Sequence, residues 1–203
     1  FKAGGTGKAM LKKWGEKEPF FASIYKRNLL KSNSRVKINK YNLGIELEVF
    51  FYLKKSILLS KNKMTEKNIG KYIISMGPCI EVVGYRQKKR GLKTLGDLIS
   101  DFGANVKFIN GSKKKYKKLN FANLKTELMH VKSGSKTQGN TKSVYDSPIK
   151  SLIWLINKIR RRKSINKNFY VFTGSTVGVV PIKYKGLFSG NIEKLGKVKT
   201  RIS

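Results

Sequence analysis

Residues Ile45–Leu53 leave little freedom of local structure. Ile45, Leu47, Val49, Phe51 and Leu53 alternate with Glu46, Glu48, Phe50 and Tyr52. A period of two marks a strand, whose successive side chains point to opposite faces. Glu46 and Glu48 therefore share one face and point the same way. Lys54-Lys55 closes the segment. Taken alone, two acids on a strand are ordinary surface residues.

The rest of the chain reads as a mixture of short elements. The opening Gly4-Gly5-Thr6-Gly7-Lys8 invites a phosphate-loop reading. That motif needs a glycine five residues before the Gly-Lys pair and a Ser or Thr after it. Ala9 stands in the last place, so a turn into a short helix is expected and no nucleotide cofactor. Thr65-Glu66 starts a predicted helix, with Ile69, Tyr72, Ile73 and Met76 at helical spacing and Gly77-Pro78 as its stop. Cys79–Val83 follows as a short strand, with Glu81 on the face opposite Ile80 and Val82. Thr94–Phe102 is a helix or an irregular segment. Basic loops are expected near 86–93 and over Gly111–Lys118, and an alternating stretch within Leu119–Val131. Ser147-Pro148 is a helix start, a capping residue followed by proline in the first turn. Ile149, Leu152, Ile153, Ile156 and Ile159 form the buried stripe of that helix, with Trp154 in the core. Strands are expected at Phe169–Phe172, Val179–Ile182 and Val198–Ile202. No internal repeat is evident, and the sum is one α+β domain over 1–203 in which strands outnumber helices.

Charge restricts function more than fold. The chain carries 45 Lys+Arg against 11 Asp+Glu, a net charge of +34. Such an excess repels itself and calls for a polyanionic partner. Yet 39% of residues are hydrophobic, too many for a basic disordered tail, so a packed core is expected. One cysteine, Cys79, excludes an internal disulfide or a cysteine-based zinc site and reads as a buried small hydrophobe. His130, the single histidine, reads as a structural or exposed residue and not as a ligand or base. The longest apolar run falls far short of the roughly 18 residues that suggest a membrane span. The chain begins at Phe1 and not at Met, and the expectation is a segment upstream, a targeting peptide being one form of it.

An ordered set of motifs resembles the fumarylacetoacetate hydrolase superfamily, in its 2-keto-4-pentenoate hydratase / 4-oxalocrotonate decarboxylase branch. The set comprises Phe1-Lys2-Ala3-Gly4, Glu18-Pro19-Phe20-Phe21, Glu46-Leu47-Glu48, Pro78-Cys79-Ile80-Glu81-Val82-Val83, Asp97 and Asp101. It continues with Ser147-Pro148 through Trp154-Leu155, Thr173-Gly174-Ser175, Pro181-Ile182 and Leu195-Gly196. The resemblance implies a mixed β-sandwich roll with a few flanking helices, shorter at its N-terminus than the family. It implies magnesium or manganese held by Glu46, Glu48 and Glu81, with Lys2 assisting proton transfer and Thr173, Gly174 and Ser175 beside the substrate. Three carboxylates gathered without a cation would repel, so such a pocket needs a metal, a lysine such as Lys2, or protonated acids. There are departures: Phe20 stands where some hydratases carry an acid, Gly7 replaces a common Ser, and Asp101-Phe102 replaces an Asp-Asn pair.

Typical members are not this basic, and the expectation favoured by the charge is a hydratase-like fold reused as a structural, non-catalytic part of a large ribonucleoprotein. A mitochondrial ribosome is its expected setting, with ribosomal RNA and neighbouring ribosomal proteins as partners. Lys88, Lys89, Arg90, Lys113, Lys114, Lys115, Lys117, Lys118, Arg160, Arg161, Arg162 and Lys163 are its candidate RNA contacts, mostly to phosphate. Self-repulsion argues against a family-type homodimer. The alternative is an active metal-dependent hydratase, decarboxylase or C–C hydrolase, with a cytoplasmic setting.

Overall fold

The computed structural model describes residues 1–86, 94–160 and 165–203. In chain order the strands are β1 Lys2–Gly4, β2 Phe20–Ala22, β3 Leu29–Lys31, β4 Arg35–Val36, β5 Asn42–Leu53, β6 Ile73–Gly84 and β7 Asn105–Asn110. They continue as β8 Lys114–Lys115, β9 Lys125–His130, β10 Lys136–Asn140, β11 Phe169–Ser175, β12 Val180–Pro181, β13 Gly186–Ile192 and β14 Gly196–Ile202. The helices are α1 Lys8–Trp14, α2 Leu95–Ser100 and α3 Pro148–Ile159. No helix of the described residues is long and apolar enough to cross a membrane.

The larger sheet runs β2-β1-β11-β5-β6-β7-β3, with β12 added to β5 and β8 to β6; the smaller runs β10-β9-β13-β14-β4. The α+β fold with few helices agrees with the expectation. The two sheets meet where Gly190 of β13 leaves room for Leu47 of β5. A Cβ on Gly190 would stand 2.5 Å from the leucine. The alternation of β5 thus feeds two interiors. Ile45, Leu47, Val49 and Phe51 join Ile80, Val82, Leu128 and Val198 in the main core. On the other face Phe50, Cys79, Phe108 and Phe172 form a smaller aromatic cluster, with the rings of Phe108 and Phe172 stacked at 3.6 Å.

The predicted helix over residues 65–76 is corrected. A turn over residues 66–68 leads into the 3-10 segment Ile69–Tyr72, and β6 begins at Ile73 and runs straight through Gly77-Pro78. The proline is tolerated because β6 changes neighbour there. Met76 pairs β8 and Cys79 pairs β7, and the Pro78 carbonyl faces that edge, accepting from the Gly111 amide at 2.9 Å. A missing N–H at this junction breaks no ladder bond. Gly77 is required, since a Cβ would lie 1.9 Å from the Ser112 carbonyl oxygen.

Helix α3 follows its sequence signals. The Ser147 hydroxyl accepts from the Lys150 amide, and Pro148 occupies the first turn. Ile149, Leu152, Ile156 and Ile159 are buried as expected, Leu155 joins them, and Ile153 and Trp154 are half-buried. Each fully buried aliphatic chain contributes about 1.5–3 kcal/mol. The segment 111–118, read as a loop, contains the two-residue strand β8.

Candidate metal centre

The centre arises from strand register. Glu46 of β5 stands directly across from Glu81 of β6, and Glu48 across from Cys79. The period of two puts all three carboxylates on the face that also carries Phe50, Phe108 and Phe172. Carboxylate oxygens of Glu46, Glu48 and Glu81 lie within 4.8 Å of one another. Glu48 and Glu81 are 1% and 0% exposed, while Glu46 keeps partial exposure.

Lys2 enters from β1, held beside Phe172 of β11. Its ammonium donates to Glu81 Oε1 at 2.7 Å, to Glu81 Oε2 at 2.8 Å and to the Gly103 carbonyl at 2.9 Å. That carbonyl is presented by three successive left-handed residues, Phe102, Gly103 and Ala104, with φ of 55°, 62° and 59°. Left-handed backbone costs about 1–2 kcal/mol at each non-glycine position, and such outliers gather at functional sites. The Asn105 amide donates to Glu81 Oε1 at 2.9 Å. Asn105 is itself held by the Asn28 amide at 3.2 Å.

Glu48 is treated differently. Its Oε2 accepts from the Gly174 amide at 2.9 Å, but its Oε1 is buried without a hydrogen-bond partner. A buried carboxylate oxygen with no donor is costly. Three carboxylates against one ammonium also leave negative charge in excess. Burial, followed by repulsion from Glu81, pushes the Glu46 carboxyl up to about 8. Burial, with Glu81 next, raises Glu48 well above the usual carboxylate range. Burial opposes the Lys2 charge, but Glu81, Glu48 and Glu46 together outweigh it and raise its pKa. The donor set fits a hard divalent cation, which takes carboxylate oxygens and keeps positions open for other ligands.

Glu46, Glu48 and Lys2 line a cavity of about 950 Å³, whose wall also includes Gly4, Thr6, Phe20, Gly174 and Ser175. Of the expected substrate-side residues, Gly174 and Ser175 reach that wall. Thr173 does not: its hydroxyl donates to the Val49 carbonyl at 2.9 Å and its own carbonyl accepts from Ser151. Gly174 lies at a bulge of β11, at φ +105°, with Thr6 where a Cβ would be.

No family model matches the sequence, and no curated protein matches it. Solved structures do. A 4-oxalocrotonate decarboxylase from Pseudomonas putida, complexed with magnesium and adipate, superposes at a TM-score of 0.83 with 19% identity. That match covers 100% of this chain and 76% of the decarboxylase. A fumarylacetoacetate hydrolase family protein from Yersinia pestis gives 0.67 at 18% identity, covering 100% of this chain and 91% of that one. A maleylpyruvate hydrolase from Sphingobium, in complex with manganese and pyruvate, gives 0.67 at 12%, covering 99% and 68%. This is the fumarylacetoacetate hydrolase fold.

Within that fold the other sequence-matched residues serve the frame. Asp97 closes a capping box with Thr94 at the start of α2. Asp101 takes Arg86 Nη1 at 2.7 Å. The Phe20 ring packs over Gly4 and Gly103, where a Cβ on Gly4 would meet it at 2.2 Å. His130 is structural, as expected, its ring nitrogens bound to Ser133 Oγ at 2.8 Å and the Lys185 carbonyl at 3.2 Å. Cys79 is buried.

Among the candidate RNA contacts, Lys88, Lys89, Arg90, Arg161, Arg162 and Lys163 lie outside the described residues. Lys113 donates to the Tyr170 hydroxyl, Lys114 to the Lys194 carbonyl and Arg160 to the Lys61 carbonyl; Lys113 and Lys114 are exposed and Arg160 is half-buried. Lys115, Lys117 and Lys118 are exposed.

Sequence reasoning missed Gly103 and Asn105. Each holds its partner through more than 20 intervening residues, and no local spacing announces such a contact.

Proposed function

We propose that this chain is a divalent-metal-dependent enzyme acting on a 2-oxo acid or its enol, as a hydratase, decarboxylase or C–C hydrolase. The observation that carries this reading is the partnerless Glu48 Oε1, buried within a cluster of three carboxylates of which Glu46 and Glu48 line a large cavity. The relatives named above bind magnesium with adipate and manganese with pyruvate, which supports a centre that brings a divalent ion and a carboxylate ligand together.

Glu46, Glu48 and Glu81 would hold the ion, magnesium or manganese. When bound, it supplies Lewis-acid stabilisation of negative charge on a substrate oxygen. The chain's own part is orientation, charge and exclusion of water. The Gly174 amide fixes the angle of Glu48, and Asn105 with Lys2 fixes Glu81. Lys2 stays protonated beside three acids and presents positive charge to the cavity wall. The aromatic floor lowers the local dielectric and strengthens each of these interactions. The likeness to enzymes favours this reading over a ribonucleoprotein component, for which the charge excess alone speaks.

The test is isothermal titration of Mg2+ and Mn2+ into chelator-treated protein, followed by assay of the loaded protein on 2-hydroxydienoates and 2-oxo-3-enoates. One site that weakens at least tenfold in Glu48→Gln, with turnover abolished by chelator, is the expected result. Absence of a saturable site would end the proposal.

A further inference from the structure

The smaller sheet turns a line of cations to solvent. Burial alternates along β14, so that Lys197, Lys199 and Arg201 are exposed while Val198, Thr200 and Ile202 are buried. Side chains two residues apart on a strand leave the same face about 6.8 Å from one another. Arg35 of β4 is exposed and stands directly beside Arg201 in the parallel pairing of β14 with β4. Like charges so placed on neighbouring strands are destabilising. Lys194 and Lys114 extend the line past the start of β14. Both are exposed, and Lys114 Nζ donates to the Lys194 carbonyl at 2.9 Å.

Guarding an open strand edge does not account for these charges. Lysines often serve that purpose, but the edge of β14 is already covered. The Asn33 amide donates to the Lys199 carbonyl at 2.7 Å and the Ser112 amide to the Lys197 carbonyl at 3.0 Å. The Arg201 amide donates to the Ser34 carbonyl at 3.0 Å, and the Lys199 amide to Ser32 Oγ at 2.9 Å. The three segments gathered here, residues 29–40, 105–125 and 194–203, contain no Asp or Glu. Glu127, two strands away on β9, takes Gln138 and Lys136, and Glu193 accepts from the Lys125 amide.

We infer that this face of the smaller sheet binds the phosphate backbone of a nucleic acid, with Arg35, Lys197, Lys199 and Arg201 as its contacts. One exposed ammonium holds an anion weakly, but a row of them releases counterions together from a polymer of phosphates. The row is linear, as a phosphate chain is. Ser189 and Asn191 stand across from Lys199 and Lys197 and put polar side chains where a surface lying on lipid would carry apolar anchors. Contacts of this kind position a nucleic acid without reading its bases. The carboxylate centre belongs to the larger sheet, and the inference does not depend on how that centre is read.

The test is fluorescence anisotropy of a labelled uridine homopolymer titrated with the full chain across a salt series. Four phosphate contacts predict roughly a 50-fold loss of affinity between about 50 and 200 mM salt. The triple change Lys197→Gln, Lys199→Gln, Arg201→Gln should weaken binding at least about tenfold at low salt. It should also flatten the slope of log affinity against log salt by about 2. Lys8→Gln, Lys12→Gln, Lys17→Gln removes the same charge from exposed positions in and just after α1. That control should leave affinity within about twofold, because charges beyond a Debye length are screened. All six positions are exposed, and urea midpoints check that both variants fold.

Equal weakening by the two triple variants would mean attraction to net charge and not to this face, and would overturn the inference. Binding that does not fall with salt would overturn it as well. So would capture of the unaltered chain by phosphatidylserine vesicles in the presence of excess polymer, which would assign the face to a membrane surface.

Discussion

Glu46 and Glu81 stand as direct cross-strand partners on β5 and β6, a pairing that like charges disfavour. The fold accepts it because the Lys2 ammonium neutralises Glu81 and the Asn105 amide donates to it. Glu46 and Glu48 are left to share what remains of the negative charge.

This arrangement makes stability depend on pH in a definite direction. Glu46 rises from an ordinary 4.5 to about 8 through burial and then Glu81, and Glu48 moves the same way. An acid whose folded pKa exceeds its unfolded one binds more protons folded than unfolded between those values. Its contribution is complete below about 4.5 and is lost as pH climbs toward 8. Lys2 is raised from 10.5, so its loss lies above that window. In chelator, urea midpoints should fall from pH 5 to pH 8, by at most about 1.4 kcal/mol per pH unit for each group. Millimolar Mg2+ should restore most of that loss at pH 8. A flat profile without metal would contradict the buried cluster.

Replacing Lys2 by methionine leaves the Glu81 charge buried without its counterion. Breaking a buried pair in this way costs about 3–5 kcal/mol. Lys2→Met should lose that much in urea unfolding. The double change Lys2→Met, Glu81→Gln should recover a large part of it, because the stranded charge is gone.

Gly174→Ala tests the support of Glu48. Alanine is strained at φ +105° and its Cβ would stand 2.1 Å from Thr6 Oγ1. Backbone of this kind costs about 1–3 kcal/mol, and any shift moves the amide that Glu48 accepts. Metal affinity should fall along with thermal stability. Gly178→Ala, also at positive φ but with open space around its Cβ, should lower stability alone.

Asn105→Leu removes the amide that joins Glu81 to Asn28. Hydrogen bonds to charged groups contribute about 1.5–3 kcal/mol, so unfolding should be easier by that amount. The metal site should lose affinity while still saturating, as expected of a positioning residue.

How much of this was legible beforehand follows from the range of each signal. The alternation in Ile45–Leu53 put Glu46 and Glu48 on one face because a strand's period is a local property of the backbone. The Ser147-Pro148 start of α3 was legible for the same reason, since a cap needs a hydroxyl three residues from the amide it binds. Helical spacing over Ile69–Met76 misled because the same apolar pattern fits a turn followed by a buried strand. What separates the two is Gly77 against Ser112 and Pro78 at the junction of β7 and β8, both tertiary facts. The charge excess speaks of solubility and partners and was silent on the fold.

The sequence by itself determined that this chain alternates into strands, caps its long helix, and carries acids in Glu-x-Glu and Pro-Cys-Ile-Glu strands that resemble a metal-binding family. Only the tertiary structure decided that Glu46 faces Glu81, that Lys2 and Gly103 close over them, and that Glu48 keeps one oxygen without a partner. The physical reason is separation along the chain. A residue's facing direction is set by its neighbours, but the register of β5 against β6 and of β1 against β11 is set by the packing of two sheets.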